Sequence, residues 1–128
     1  MDPFENNNDS KWFFAIESSG DGVWDWNFET GAVFYSSRWK SMLGYKDDEI
    51  KNRIGEWKRR VHPDDLDRCI SQYLSSFDKR IPFYIQYRLR HHDGSYHRIA
   101  DYGAPIYDLK GEFTGYIGSC YDLDKEEP

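Results

Sequence analysis

The residues of this 128-residue chain with an obvious capacity for chemistry are few, and their spacing argues against using it. His91-His92-Asp93 has the composition of a metal site. Adjacent strand residues point to opposite faces, however, so the three do not converge easily on one ion. Cys69 and Cys120 form neither a C-x-x-C pair nor a metal spacing and, with no export signal ahead of them, read as two separate reduced thiols. No Gly-rich phosphate loop, nucleophile elbow, or Ser or Cys paired with His is recognisable. The carboxylates cluster in turns and helix starts, where capping is their ordinary work. Neither a catalytic residue nor a metal ligand is expected. What stands out is aromatic: Phe, Trp and Tyr make up 18% of the residues, and each buried ring removes about 150–250 Å² from water.

The bulk numbers narrow the partners. A mean hydropathy of −0.90 leans toward disorder, but disordered chains are poor in aromatics. A small globular domain with an aromatic core is the consistent reading. The net charge of −6 repels a phosphate backbone, and the basic run Lys58-Arg59-Arg60 is answered by Asp64, Asp65 and Asp67. No nucleic-acid partner is expected. No apolar run reaches the ~18–20 residues of a membrane span, and MDPFENNNDS lacks a signal peptide's basic and apolar regions. The expectation is a cytoplasmic protein without membrane contact.

The elements that must position the rings follow from periodicity. Residues 1–9 read as a leader. A short helix after Asp9-Ser10 carries Trp12, Phe13 and Ile16 on one face. Strands over 23–28 and 32–37 flank the turn Glu29-Thr30-Gly31. A helix from Arg38 to Leu43 closes at Gly44, and the clearest helix runs from Pro63 to Phe77. There Leu66, Cys69, Ile70, Tyr73, Leu74 and Phe77 form one apolar stripe. Phe83, Ile85, Tyr87 and Leu89 then alternate with polar residues along a strand. Asp93-Gly94 predicts a two-residue hairpin loop. That loop pairs Tyr87 with Ala100 and Ile85 with Tyr102, turning Ala100, Tyr102 and Ala104 inward and Ile99 and Asp101 outward. Pro105 is expected to demote the end of that strand, and a last strand spans Phe113 to Leu123.

Several stretches in order carry a family resemblance. They are Gly22-Val23-Trp24-Asp25-Trp26-Asn27 with Thr30-Gly31, Leu43-Gly44-Tyr45 before Asp48-Glu49-Ile50, and Val61-His62-Pro63-Asp64-Asp65. Tyr87-Arg88-Leu89-Arg90 with Asp93-Gly94 follows, then Lys110-Gly111-Glu112 with Gly115, and Gly118 to Asp122-Leu123. The chain resembles a PAS domain with a PAC motif over residues 10–124, with 125–128 beginning a linker. The resemblance implies an α+β fold: a five-stranded antiparallel sheet of order 2-1-5-4-3, short helices on one face and an N-terminal helix. It also implies a non-enzymatic regulatory module of a larger signalling protein, such as a bacterial histidine kinase or cyclic-di-GMP enzyme. The output domain would lie in the same polypeptide.

No cofactor is assigned. The light-sensing branch of the superfamily needs a cysteine where this sequence reads Lys51-Asn52-Arg53-Ile54-Gly55-Glu56-Trp57, so an FMN adduct is excluded. Haem needs an axial ligand, and His62 reads as a helix cap while His91, His92 and His97 read as solvated. An unidentified small molecule is left as the ligand. The candidate pocket comprises Trp24, Trp26, Trp39, Ile54, Cys69, Ile70, Tyr73, Ile85, Tyr87, Ala100, Tyr102, Tyr116 and Cys120. Tyr73, Tyr87, Tyr102 and Tyr116 would bury hydroxyls that need partners, which a ligand or water could supply. A homodimer is expected through Trp12, Phe13 and Ile16 of the N-terminal helix with Ile99, Ile117 and Tyr121 of the outer sheet face. The alternative is a protein–protein or dimerisation scaffold whose core is filled and binds no ligand.

Overall fold

The computed structural model describes residues 21–125. The expected leader, the N-terminal helix with Trp12, Phe13 and Ile16, and the end of the linker lie outside the described residues. Strand β1, Gly22–Asn27, turns through Glu29-Thr30-Gly31 into β2, Val33–Tyr35. The Asn27 side chain makes that turn by accepting the N–H groups of Glu29 and Thr30. Helix α1, Ser37–Met42, is capped by Ser36, whose hydroxyl oxygen accepts from Trp39 N and from Val23 N on β1. One side chain thereby satisfies a helix end and ties it to the sheet.

A 3-10 turn at Asp47–Glu49 leads to α2, Ile54–Lys58, and then to α3, Pro63–Lys79. Pro63 occupies the first helical position, where its missing N–H costs nothing, and His62 Nδ1 accepts from Asp64 N at 3.0 Å. On the apolar stripe of α3, Cys69 and Tyr73 are buried, and Leu66, Ile70 and Phe77 are half-buried. Leu74 is 59% exposed. Arg88 N and its guanidinium both donate to the Asp65 carboxylate, clamping the start of α3 to the sheet. The basic run at the end of α2 is answered close by, because Glu56 pairs with both Arg59 and Arg60.

Strands β3, Phe83–Arg90, β4, Tyr96–Tyr107, and β5, Phe113–Asp122, complete a five-stranded antiparallel sheet of order β2-β1-β5-β4-β3. This is the expected fold. Its β3–β4 register is not the expected one. The last pair is Arg90 with Tyr96, so the connection is His91 to Ser95, closed by His91 N donating to Ser95 O and Gly94 N to His91 O. Tyr87 therefore faces Ile99, and Ile85 faces Asp101. A one-residue slip moves every side chain of a strand to the opposite face. Ile99 and Asp101 thus point into the core, at 0% and 3% exposure, while Tyr102 is 41% exposed and Ala100 half-buried.

β4 also continues through Pro105, which pairs with Tyr116. β3 reaches only as far as Gly103, so at Pro105 the strand has a neighbour on one side alone and tolerates a missing N–H. Gly103 and Gly118 face each other across β4 and β5. A Cβ on Gly118 would sit 2.4 Å from the Trp24 ring, and one on Gly103 would sit 2.4 Å from Phe83. These bare positions let the Trp24 and Phe83 rings lie on the sheet, stacked 11° apart.

Candidate functional site

Between the concave face of the sheet and the three helices lies a cavity of about 270 Å³. β1 turns Trp24 and Trp26 into it, β2 supplies Val33 and Tyr35, and α1 supplies Trp39. α2 contributes Ile54, Trp57 and Lys58, and α3 contributes Ile70, Tyr73, Leu74 and Phe77. Phe83, Tyr87, Asp101 and Cys120 line it from the sheet. The rings meet at steep angles, 83° between Trp57 and Tyr87 and 83° between Trp26 and Phe77. Edge-to-face contacts of this kind are a preferred arrangement of aromatic pairs and hold the lining rings against one another.

Of the candidate pocket residues, Trp24, Trp26, Trp39, Ile54, Ile70, Tyr73, Tyr87 and Cys120 line the cavity. Cys69, Ile85 and Tyr116 are buried in the core without lining it. Ala100 and Tyr102 are turned away by the register slip. The same slip buries Ile99, removing it from the outer face, where Tyr121 is 43% exposed and Ile117 half-buried.

The polar centre of the cavity is a residue the sequence reading placed outside. Asp101 accepts from Trp24 Nε1 at 2.8 Å on one carboxylate oxygen. On the other it accepts from the Tyr73 hydroxyl at 2.6 Å and the Tyr87 hydroxyl at 2.8 Å. Trp57 Nε1 donates to the Tyr87 hydroxyl at 2.9 Å. The proton directions are forced, since an indole N–H can only donate. Tyr87 accepts from Trp57 and has its own proton left for Asp101. Burial pushes the Asp101 carboxyl above the usual range, and the donors from Tyr73, Trp24 and Tyr87 oppose that. Burial, reinforced by the Asp101 charge, likewise pushes the Tyr73 and Tyr87 phenols up.

The partners that a ligand or water could have supplied to the buried hydroxyls come from the protein itself. Tyr73 and Tyr87 are satisfied by Asp101, and the Tyr116 hydroxyl reaches the carbonyls of Ser76 and Ile81 at the end of α3. Tyr102 is in solvent. Both cysteines are buried and neither is in a disulfide. Burial raises the Cys69 thiol to about 12 and that of Cys120 well above its ordinary value, so neither supplies a thiolate nucleophile.

The histidine cluster differs from the one read along the chain. His97, rather than His92, comes to His91 and Asp93, their ligand atoms lying within 4.8 Å of one another. The His91 and His97 ring planes are only 14° apart with centroids at 4.8 Å. Lone pairs lie in the ring plane, so nearly parallel stacked rings do not aim at one ion. His97 Nδ1 instead meets the Asp122 carboxylate at 2.7 Å, and His91 Nδ1 accepts from Asp93 N.

Nothing in the sequence marked Asp101 except its place. An aspartate inside an otherwise apolar strand segment, Ile99 to Tyr102, is disfavoured by strand propensity and is a signal when the register is known. Tyr35, Trp57, Phe77 and Phe83 were also outside the expected pocket and line it.

With this geometry in view, comparisons with known proteins place the chain. A profile of the PAS fold matches residues 32–120. A sensory box histidine kinase/response regulator from Burkholderia thailandensis E264 superposes with a TM-score of 0.71 at 29% identity, covering 88% of this chain and 84% of that one. The N-terminal domain of a diguanylate cyclase with PAS/PAC sensor from Marinobacter aquaeolei gives 0.71 at 25% identity, covering 80% of this chain and 94% of that one. Among curated proteins, the uncharacterized protein y4lL of Sinorhizobium fredii is 31% identical over 96 residues, 74% of this chain. This chain spans 11% of that protein's length. No helix among the described residues is long and apolar enough to cross a membrane.

Proposed function

The chain belongs to the PAS fold family, and from that premise we propose that it is a sensory module of a larger signal-transduction protein, taking a small ligand into its aromatic cavity. The similar solved structures are sensor parts of a histidine kinase and a diguanylate cyclase, which supports an output domain in the same polypeptide, with any catalytic centre there rather than in this domain. The observation that carries the ligand reading is the cavity itself. Nine aromatic rings line it and about 270 Å³ stays open, just under the ~300–1,000 Å³ of drug-sized ligand sites.

A second reading, association through the outer sheet face, is favoured by a separate observation. Phe34, Tyr84, Tyr102 and Tyr121 are each 39% or more exposed, and exposed apolar surface of this kind marks interaction sites. A homodimer through this face is compatible with a ligand-binding cavity behind it.

Scanning fluorimetry with small neutral, anionic and cationic compounds tests the ligand reading. A ligand at a hundred times its Kd adds about 2.7 kcal/mol, about 8 °C or more in Tm at this size. The reading expects such a shift from at least one class, lost in Ile70→Trp, which fills the cavity. Shifts from none would leave the scaffold reading.

A further inference from the structure

We propose that the ligand of this cavity is an organic cation of the fully alkylated ammonium class, held by ring faces around the Asp101 carboxylate. The inference rests on the ligand-sensing reading above and deepens it. Asp101 is 3% exposed. Its partners among the described residues are hydrogen-bond donors, namely Trp24, Tyr73 and Tyr87, with the Cys120 thiol beside them, and no Lys, Arg or His pairs with it. A buried carboxylate without a counter-charge is costly. A cation entering the cavity would supply the missing charge.

The walls select the kind of cation. Trp24, Trp57, Tyr73 and Tyr87 all spend their N–H and O–H groups on protein acceptors. They therefore offer an incoming molecule ring faces and no donors. Ring faces attract a cation within about 6 Å of the centroid, more strongly when water is excluded. An anionic ligand would meet that electron density and a carboxylate together, with none of these four groups left to donate to it.

Open acceptor sites on the carboxylate are also scarce. A carboxylate offers about four lone-pair sites; Trp24, Tyr73 and Tyr87 take three of Asp101's, and the Cys120 thiol is placed to donate as well. A primary ammonium brings three N–H groups and finds at most one open site on Asp101; a fully alkylated nitrogen has none to satisfy. Lys58, the one basic residue in the lining, is exposed, and water at the mouth screens its charge.

Choline and 3,3-dimethylbutan-1-ol differ only in carrying a quaternary nitrogen or a quaternary carbon. Isothermal titration of the chain with each should show choline bound at least tenfold more tightly, and Asp101→Asn should bring the two to within about twofold. Equal affinities in the unsubstituted chain overturn the proposal whether or not the variant folds. A tenfold preference that survives in a folded Asp101→Asn chain overturns the part given to the carboxylate. If neutral indole or anionic indole-3-acetate raises Tm while choline binds no better than its isostere, the cation class falls and the ligand-sensing reading stands. No binding from any class removes both.

Discussion

Tyr87→Phe isolates the hydrogen-bond relay from the packing around it. The hydroxyl is buried and does two things at once, accepting from Trp57 Nε1 at 2.9 Å and donating to Asp101 at 2.8 Å. Phenylalanine keeps the ring and its edge-to-face contact with Trp57, centroids 5.8 Å apart. Losing a hydrogen bond to a charged group costs about 1.5–3 kcal/mol, and a buried donor left without a partner costs about 1–3 kcal/mol more. Because neighbouring terms do not add fully, we expect a total of roughly 2.5–5 kcal/mol. That corresponds to a fall in Tm of about 8–20 °C for a domain of this size.

The matched control is Tyr73→Phe. Its hydroxyl makes a bond to the same carboxylate oxygen, 2.6 Å long, and its removal orphans no donor. It should cost about 1.5–3 kcal/mol. The difference between the two variants measures the stranded indole N–H of Trp57. Urea titration followed by tryptophan fluorescence reads both. Tyr87→Phe within 0.5 kcal/mol of the parent, or no costlier than Tyr73→Phe, would refute the relay. Equal costs would mean that water in the cavity serves Trp57 as well as Tyr87 does.

Two further outcomes follow from the packing and the charges. Gly118→Ala puts a Cβ 2.3 Å from the Tyr102 carbonyl and 2.4 Å from the Trp24 ring. It should destabilise by about 1–3 kcal/mol in thermal melts, whereas Gly55→Ala, with nothing within 4 Å, should be neutral or stabilising by up to about 1 kcal/mol. Asp65→Asn weakens the clamp on Arg88, whose hydrogen bonds hold the Asp65 carboxyl well below the usual range. A depressed folded-state pKa gives stability that is complete above the unfolded value of about 3.9 and is lost as pH falls below it. The Arg88 side chain is 41% exposed and partly screened, so we expect a cost of about 1–2 kcal/mol at pH 7. The gap between parent and variant in urea titrations should narrow progressively below about pH 4; a gap that stays constant to pH 2.5 would contradict the assignment.

Much of the cavity was legible because its signals are local. Ile70 and Tyr73 follow from the 3.6-residue stripe of α3, and Trp24 and Trp26 from alternation along β1; all four line the cavity. Gly44 at the end of α1 and Pro63 at the start of α3 are equally local, since each reports the backbone conformation at its own position. The order of the strands has no such signal. Non-sequential neighbours such as β1 and β5 are chosen by packing across the whole domain, and only the resemblance supplied them.

The register of β4 lies between these cases. Alternation groups Ile99, Asp101 and Gly103 on one face and Ala100, Tyr102 and Ala104 on the other without saying which is inside. That choice rested on the length of one loop, and Asp93-Gly94 suggested two residues where the chain uses five, with Gly94 at φ +91°. Placing Ala100 and Tyr102 inside looks safer by hydrophobicity, because it leaves the aspartate in water. The sheet settles the matter on steric grounds. Phe83 faces position 103 across the strands, and the stacked rings of Phe83 and Trp24 leave no room there for a Cβ. Glycine can occupy that place, and its neighbour two residues back along the same face is Asp101. The aspartate is therefore inside because of what must lie beside it, with Trp24, Tyr73 and Tyr87 bearing the cost of holding a carboxylate in the core.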